Sequence, residues 1–388
     1  MKIPPLHAAM ALGLLAVVAG NAIGFLVVPV AAVPIAWAVL GGIALFLLGT
    51  SFDFEARHLQ RLAGVAALLL ILWSILGVSH PNALGKSNLI GLLNRQGEYG
   101  VVCLGVALVI IAGGIDLSIG SLMALAAVSF GLMLEAGMWP AVALPIVLLG
   151  GLALGIVHGL LVTQLKLQAF LVTLCGMFAY RGLARTLRDG QTGLVTVLEK
   201  NAGTVGFREQ LLNLRYWFIG QNADERLVAP GMLFAFLGLL AIAGVALHRS
   251  AYGRYWYAIG YNEQAAKYAG IATWKHQVSV FAICSLLAAF GGILLFLSAG
   301  SITPSSDGSN YELYAITAAV LGGVSLKGGQ GTAAGIFLGA MVLPVVKSVM
   351  IFTDLKQSWE PWIMGLILLT GAIADELIRR RGAGRSGG

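Results

Sequence analysis

The residues best placed to do chemistry lie together in Ile111-Ala112-Gly113-Gly114-Ile115-Asp116-Leu117-Ser118-Ile119-Gly120-Ser121. One carboxylate, two hydroxyls and three glycines interrupt an otherwise apolar run, since every residue from Tyr99 to Ile111 is apolar or glycine and 122–134 carry little polarity. A charged side chain at the centre of a membrane helix costs roughly 2.5–3.5 kcal/mol on insertion scales. Such a carboxylate either serves a path for polar solutes or protons, or it organises local structure. Asp116 stands just before a helical run, where its oxygens can accept backbone N–H groups and cap the helix. The glycines beside it permit a broken helix, and broken helices in membranes line cavities. On the residues alone, the capping role and the pathway role both stand.

No catalytic constellation accompanies it. The six histidines (His7, His58, His80, His158, His248 and His276) are scattered, and neither HExxH nor GxSxG occurs. His158 lies within an apolar span and reads as a packed, hydrogen-bonded side chain. Gly85-Lys86-Ser87 ends like a phosphate-binding loop, but the required first glycine is His80 and no strand precedes it. The chain therefore has no nucleotide-binding loop of its own. Cys103, Cys175 and Cys284 all fall in apolar runs, none in a CxxC pair, and read as small buried hydrophobes. No catalytic residue and no metal-ligand set is assigned.

The elements that must position these residues are membrane helices. Of the 388 residues, 58% are apolar and 11% charged, against about 25% charged in a soluble domain. Apolar segments recur at approximately 8–28, 33–50, 62–79, 97–112, 117–135, 139–163, 167–187, 229–247, 276–298, 311–323, 332–351 and 360–376. This predicts an all-α, polytopic membrane protein of about 10–12 transmembrane segments, some broken or re-entrant. The tenth segment is short enough to be a half-helix, and 87–94 looks interfacial. Met10 to Val28 is long and lacks a small-residue cleavage site, so it reads as a retained span rather than a signal peptide. The longest polar stretch, Arg188 to Val228, has the length of a loop rather than of a soluble domain.

Lysine and arginine set the orientation. With the N-terminus inside, inside loops carry Arg57, Arg61, Lys166, Arg249, Arg254, Lys267, Lys275 and Lys327, and the tail carries Arg379, Arg380, Arg381 and Arg385. Outside loops are poorer, with Lys86, Arg95 and Lys356 as exceptions. Both termini are thus expected in the cytoplasm. The net charge of +7 suits loops beside anionic membrane lipid. No arginine-rich face interleaved with aromatics points to nucleic acid.

Several further features bear on packing. Gly151, Gly155 and Gly159 are four apart, as are Gly331, Gly335 and Gly339. Each set lines one helix face and lets another backbone approach, within one bundle or across a dimer. Gly113-Gly114 and Gly322-Gly323 echo one another, each followed by a Ser/Gly-rich break. Arg181, Glu98 and Glu312 sit near outer span ends and read as interfacial, and Tyr311, Tyr314 and Trp362 as belt aromatics. In the loop 249–275, Asn262 can start a helix, Ala265 and Ala266 propagate it, and Gly270 ends it. That short helix can dock a partner or lie on the membrane.

Four stretches together carry a family likeness. Gly113 to Ser121 resembles the signature of the ribose/xylose/galactose-type permeases of bacterial ABC sugar importers. Val172-Thr173-Leu174 with Arg181-Gly182 is similar to that family's TL…RG segment. Ala258 to Ala266 with Gly270-Ile271 resembles its AIGxNxxAA…GI coupling loop. Tyr311-Glu312-Leu313, Leu321 to Leu326 and Gly328 to Gly331 resemble its YEL…GGxSLxGGxG segment. The resemblance spans roughly residues 62–380. His158 stands where the family commonly has asparagine, Gln168-Ala169 replace a proline-containing stretch, and Tyr314 replaces a common acid.

The resemblance implies three units: 1–50 as an additional N-terminal pair of spans, 51–380 as the permease core and 381–388 as a basic cytoplasmic tail. It implies a transport subunit of the bacterial inner membrane rather than an enzyme. ATP-Mg would be used by a separate cytoplasmic ATPase and not bound by this chain. A periplasmic sugar-binding protein would deliver substrate, and a second permease copy or related chain would complete the pathway. Asn262, Glu263, Ala265, Ala266, Lys267 and Gly270 become the expected ATPase contact. Gly113, Gly114, Asp116, Ser118, Gly120, Ser121, Thr173, Gly322, Gly323 and Ser325 become the expected helix-break and pathway residues. Two alternatives remain at this level: a permease for nucleosides or other small polar solutes, and a secondary symporter.

Overall fold

The computed structural model describes residues 57–80, 82–190, 192–201, 206–220 and 229–383. The segments 8–28 and 33–50, the whole unit 1–50, and 384–388 of the tail lie outside the described residues. What is described is all-α. The helices are α1 (Arg57–Ser79), α2 (Lys86–Ile111), α3 (Ile119–Glu135), α4 (Pro140–Thr163), α5 (Ala169–Leu187), α6 (Leu194–Lys200) and α7 (Phe207–Ile219). They continue as α8 (Gly231–Arg249), α9 (Ala251–Tyr261), α10 (Glu263–Tyr268), α11 (Thr273–Ala299), α12 (Tyr311–Leu321), α13 (Ala333–Phe352) and α14 (Glu360–Ala383). Two-residue strands, β1 (Thr192–Gly193) and β2 (Ser301–Ile302), pair antiparallel and tie two connecting loops together.

Among the described residues, five helices are long and apolar enough to cross a membrane: 62–79 of α1, α4, α8, α11 and α13. At the centre, α11 packs along α4, α3 and α2. The α3 helix is apolar all round because it is buried all round: 119–128 are buried without exception. Outward faces remain apolar, as at Leu149 on α4, Ile242 on α8 and Leu369 on α14, all more than half exposed. Lipid tails solvate such faces, whereas water would not.

Glycine sets the closest helix contacts. A Cβ at Gly155 or Gly159 would strike the backbone of α11 at Phe281 or Val278, and one at Gly151 would strike the Ala289 side chain. A Cβ at Gly335 or Gly339 would strike the carbonyls of Gly322 or Ala318. Both four-residue spacings are thus used inside this one chain. Lipid supplies no hydrophobic drive between helices, so close van der Waals approach supplies it instead.

Two segments differ from the sequence expectation. Residues 87–94 are not a separate interfacial stretch but the first turns of α2. The reason is Asn94: its Nδ2 donates to the Ile219 carbonyl at 2.7 Å and its Oδ1 accepts from the Met232 N–H at 3.1 Å. A polar residue that looks surface-bound is satisfied within the bundle. Within the expected loop 188–228, residues 194–200 and 207–219 are helical, as α6 and α7. At 11 residues, α12 is about 17 Å long at the α-helical rise, half a bilayer core.

A candidate coupling junction and a buried polar core

Helix α2 ends in a Schellman motif. The Gly113 N–H donates to the Ile110 carbonyl and the Gly114 N–H to the Val109 carbonyl, both at 2.9 Å, with Gly113 at φ 85°. Helix α12 ends the same way. The Gly323 N–H donates to Val320 at 2.9 Å and the Val324 N–H to Ala319 at 3.0 Å, with Gly323 at φ 83°. The left-handed position after each helix is one that glycine occupies without a Cβ penalty. The echo between Gly113-Gly114 and Gly322-Gly323 is therefore a repeated helix ending, bond for bond.

Between the first ending and α3, Asp116 is fully buried. Its Oδ1 accepts the Ser118 N–H at 2.8 Å and the Ser118 hydroxyl at 2.7 Å. This is an Asx turn leading into α3, whose N-cap position belongs to Ser118 rather than to Asp116. The Ser121 hydroxyl donates to the Ser118 carbonyl at 2.7 Å. The Thr173 hydroxyl reaches the Ala169 carbonyl at 2.9 Å and the Ile115 carbonyl at 3.3 Å, which ties α5 to the break. The structure thus brings Asp116, Ser118, Ser121 and Thr173 together, with their hydroxyls bonded to the chain itself. Gly120 makes a different contact: a Cβ there would strike the Gly308 carbonyl and the Glu312 carboxylate.

The other carboxylate oxygen, Asp116 Oδ2, is buried without a hydrogen-bond partner. His158 of α4, Tyr180 of α5 and Cys284 of α11 stand around it. The Tyr180 hydroxyl and His158 Nε2 are 2.7 Å apart, and the two rings stack with centroids at 5.5 Å. Gly176 gives the imidazole its room, since a Cβ there would meet His158 Nε2 at 2.7 Å. Side chains of α4, α5 and α11 therefore line one polar core beside the break. Among the described residues, no group of three His, Cys, Asp or Glu is arranged to hold a metal.

The two breaks meet at α9. The Gly329 N–H donates to the Ile111 carbonyl at 2.8 Å. A Cβ at Gly260 would strike that carbonyl and the Gly329 nitrogen. A Cβ at Gly328 would lie 3.0 Å from the Cα atoms of both Gly113 and Gly260. Three backbones thus touch, with glycine at every contact. Beside them, the Tyr257 hydroxyl donates to the Gly331 carbonyl at 2.8 Å. Burial pushes its phenol up to about 12, so it stays protonated and keeps donating. Ser325 belongs to the same loop, its N–H donating to the Gln330 carbonyl at 3.2 Å.

From this junction the chain enters α10. Asn262 is extended and its Oδ1 accepts the Ala265 N–H at 3.0 Å, a side-chain N-cap. Glu263 and Lys267 form an i,i+4 ion pair, Ala266 is buried, and Gly270 at φ 83° ends the turn. Tyr261 and Tyr268 are more than four-fifths exposed. A groove of about 1110 Å³ runs between α10 and the end of α4, lined by Gln164, Lys166, Glu263, Lys267 and Trp274 among others.

Glu98, Tyr311 and Tyr314, expected at the membrane interface, lie inside the bundle. Glu98, Tyr99, Tyr311, Tyr314, Lys347 and Glu360 cluster at the end of the bundle opposite the junction. The one local signal for them is Lys347 inside an apolar run, since an ionisable residue there marks a site by default. Arg181 is half-buried, and its guanidinium donates to the carbonyls of Pro304 at 3.0 Å and Asp307 at 2.5 Å. It holds the loop 300–310 against α5 rather than snorkelling. Trp362 stays mostly exposed.

Apolar-faced helices, two helices broken inside the bundle and a helical hairpin bearing on both breaks define a multi-pass membrane protein with the build of a transporter. Residues 88–371 match the family described as branched-chain amino acid transport system / permease component. The chain is 33% identical over 307 residues to the ribose import permease of Bacillus subtilis, covering 79% of this chain and 90% of that one. It is 32% identical over 336 residues to the autoinducer 2 import system permease of Yersinia enterocolitica, covering 85% and 86%. With the ribose import permease of Haemophilus influenzae the identity is 30%, covering 80% and 91%. The chain belongs to this permease family and is a transport component rather than an enzyme. No solved structure matches it.

Proposed function

We propose that this chain is the membrane-spanning subunit of an ATP-driven sugar importer in the bacterial inner membrane, with both termini in the cytoplasm. The observation that carries the reading is the contact of Gly260 with both helix breaks. Motion of the α9–α10 hairpin is delivered there to Ile111 and Gly329 without an intervening side chain. A cytoplasmic ATPase docks on α10 and the groove beside it, and ATP-Mg is bound and hydrolysed by that partner. ATP-driven movement of the hairpin shifts the Gly113–Ser121 and Gly322–Ser325 breaks against the core, exposing the path to alternate sides. A periplasmic binding protein delivers the sugar at the opposite end, and a second permease subunit completes the path.

The relatives named for ribose and autoinducer 2 import support a sugar-class solute, and a neutral solute needs no proton-carrying carboxylate. Asp116 then shapes the break and takes no part in ion coupling. The experiment is uptake across a sugar panel in proteoliposomes holding this chain, its ATPase and its binding protein. Uptake that needs ATP supports the reading. Chemical turnover without transport, or transport indifferent to the ATPase, overturns it.

A further inference from the structure

At the end opposite the junction lies a cavity of about 620 Å³, walled by α2, α11, α12, α13 and the first turn of α14, with Ile219 of α7 and Met232 of α8 beside them. That volume is in the range that holds small-molecule ligands. Its wall carries Arg95, Glu98, Lys347 and Glu360, two charges of each sign. Lys347 Nζ donates to the Tyr99 hydroxyl at 2.8 Å and pairs with Glu360 Oε1 at 3.0 Å. The Tyr311 hydroxyl donates to Glu98 Oε1 at 2.7 Å. The Tyr99 and Tyr311 rings stack with centroids at 4.8 Å, and Lys347 Nζ stands 5.3 Å from the Tyr99 ring centroid. Glu98 and Glu360 are about nineteen-twentieths buried.

This wall is matched to one ligand chemistry. Lys347 and Glu360 are paired to each other and Glu98 to a hydroxyl, so a ligand charge placed among these three would have to break a buried contact, which is costly, while Arg95 adds further hydrogen-bond donors to the wall. A neutral polyol breaks none. An ionised carboxylate accepts about four hydrogen bonds and an ammonium donates three, so the paired groups keep capacity for ligand hydroxyls. Tyrosine rings and the side chains of Met232, Leu295 and Met350 offer apolar surface to the C–H faces of a sugar ring.

We infer that this cavity is a binding site within the permease for one neutral polyhydroxylated solute of monosaccharide class, held by Glu98, Tyr99, Tyr311, Lys347 and Glu360. The inference rests on the sugar-importer reading above and assigns that reading its holding site in this chain. It lies on the side where the binding protein delivers, about 20 Å along α2 from the junction.

The test is binding of radiolabelled ribose to the full chain with its ATPase in nanodiscs, without binding protein, followed by competition with isoleucine. Wild type is expected to bind ribose and isoleucine not to displace it. Tyr311→Phe keeps the ring and removes the hydroxyl; Glu98→Gln keeps the shape and removes the charge. Each is expected to weaken binding about tenfold, the effect of losing one charge-assisted hydrogen bond, measured on protein shown to be folded by a cooperative thermal transition, whose midpoint falls because the Tyr311–Glu98 bond is changed. Ribose binding unaltered in both variants overturns the inference, as does displacement by isoleucine, which would mark a zwitterion site. If the complete importer transports sugars while this preparation binds none from the same panel, the site assignment fails and the importer reading stands. If no sugar is transported at all, the importer reading fails first.

Discussion

The amide of Gly329 donates to the carbonyl of Ile111 at 2.8 Å. One bond thus joins the loop after the second helix break to the last residue of the helix before the first. Gly260 of α9 packs directly on that bond. A Cβ there would strike both of its atoms, so only glycine lets α9 lie this close to both breaks.

Gly260→Val is therefore expected to uncouple. Overpacking costs about 1–3 kcal/mol, which a bundle of this size tolerates while the junction is forced apart. ATPase association should persist and sugar uptake should fall about tenfold or more, the effect of a barrier raised by about 1.4 kcal/mol. Pull-down and uptake on the same preparation check this. Wild-type uptake by the variant would show that the contact transmits nothing.

Asp116 separates turn geometry from charge. Asn at 116 keeps an acceptor for the Ser118 N–H and hydroxyl, whereas Ala keeps none. Asp116→Asn should change stability by less than about 1 kcal/mol and Asp116→Ala should cost about 1–3 kcal/mol, the penalty for stranding buried donors. Thermal unfolding of both variants in one detergent measures the difference. Equal melting temperatures would contradict the Asx-turn account.

Asn262→Ala removes the α10 cap, worth typically about 1 kcal/mol. Six residues cannot hold a helix without it, so ATPase affinity should drop. Asn262→Asp restores the acceptor and should restore affinity. Titrating the ATPase onto nanodiscs by surface plasmon resonance reads both. Equal affinity for Ala and Asp variants would remove the cap from the account.

Gly113→Ala and Gly323→Ala test the repeated ending. A left-handed non-glycine residue costs roughly 1–2 kcal/mol, so the two single variants should lose similar stability. A loss confined to one of them, measured by thermal unfolding, would break the equivalence of the two breaks.

What could be read from the sequence was local. The Gly113–Ser121 break, the Asn262 start of α10, the Gly270 stop and the glycine faces of α4 and α13 each depend on residues within a few positions. The Glu98–Tyr311 and Lys347–Glu360 contacts depend on helices far apart in the chain, so Glu98 and Tyr311 singly look interfacial and only Lys347, inside an apolar run, carries a local signal. Asn94 misleads for the same reason, because Ile219 and Met232 satisfy it from another part of the chain. The meeting of Gly260 with Ile111 and Gly329 had a faint trace, glycine in all three stretches, but no spacing rule relates positions in separate segments.

The central claim is ATP-driven import through this chain. Its most direct test is labelled ribose uptake into proteoliposomes carrying the chain, its ATPase and its binding protein, with ATP or a non-hydrolysable analogue and with or without an ionophore. The account predicts uptake that requires hydrolysable ATP and survives collapse of the ion gradient. Uptake that continues without the ATPase and stops with the ionophore would contradict it.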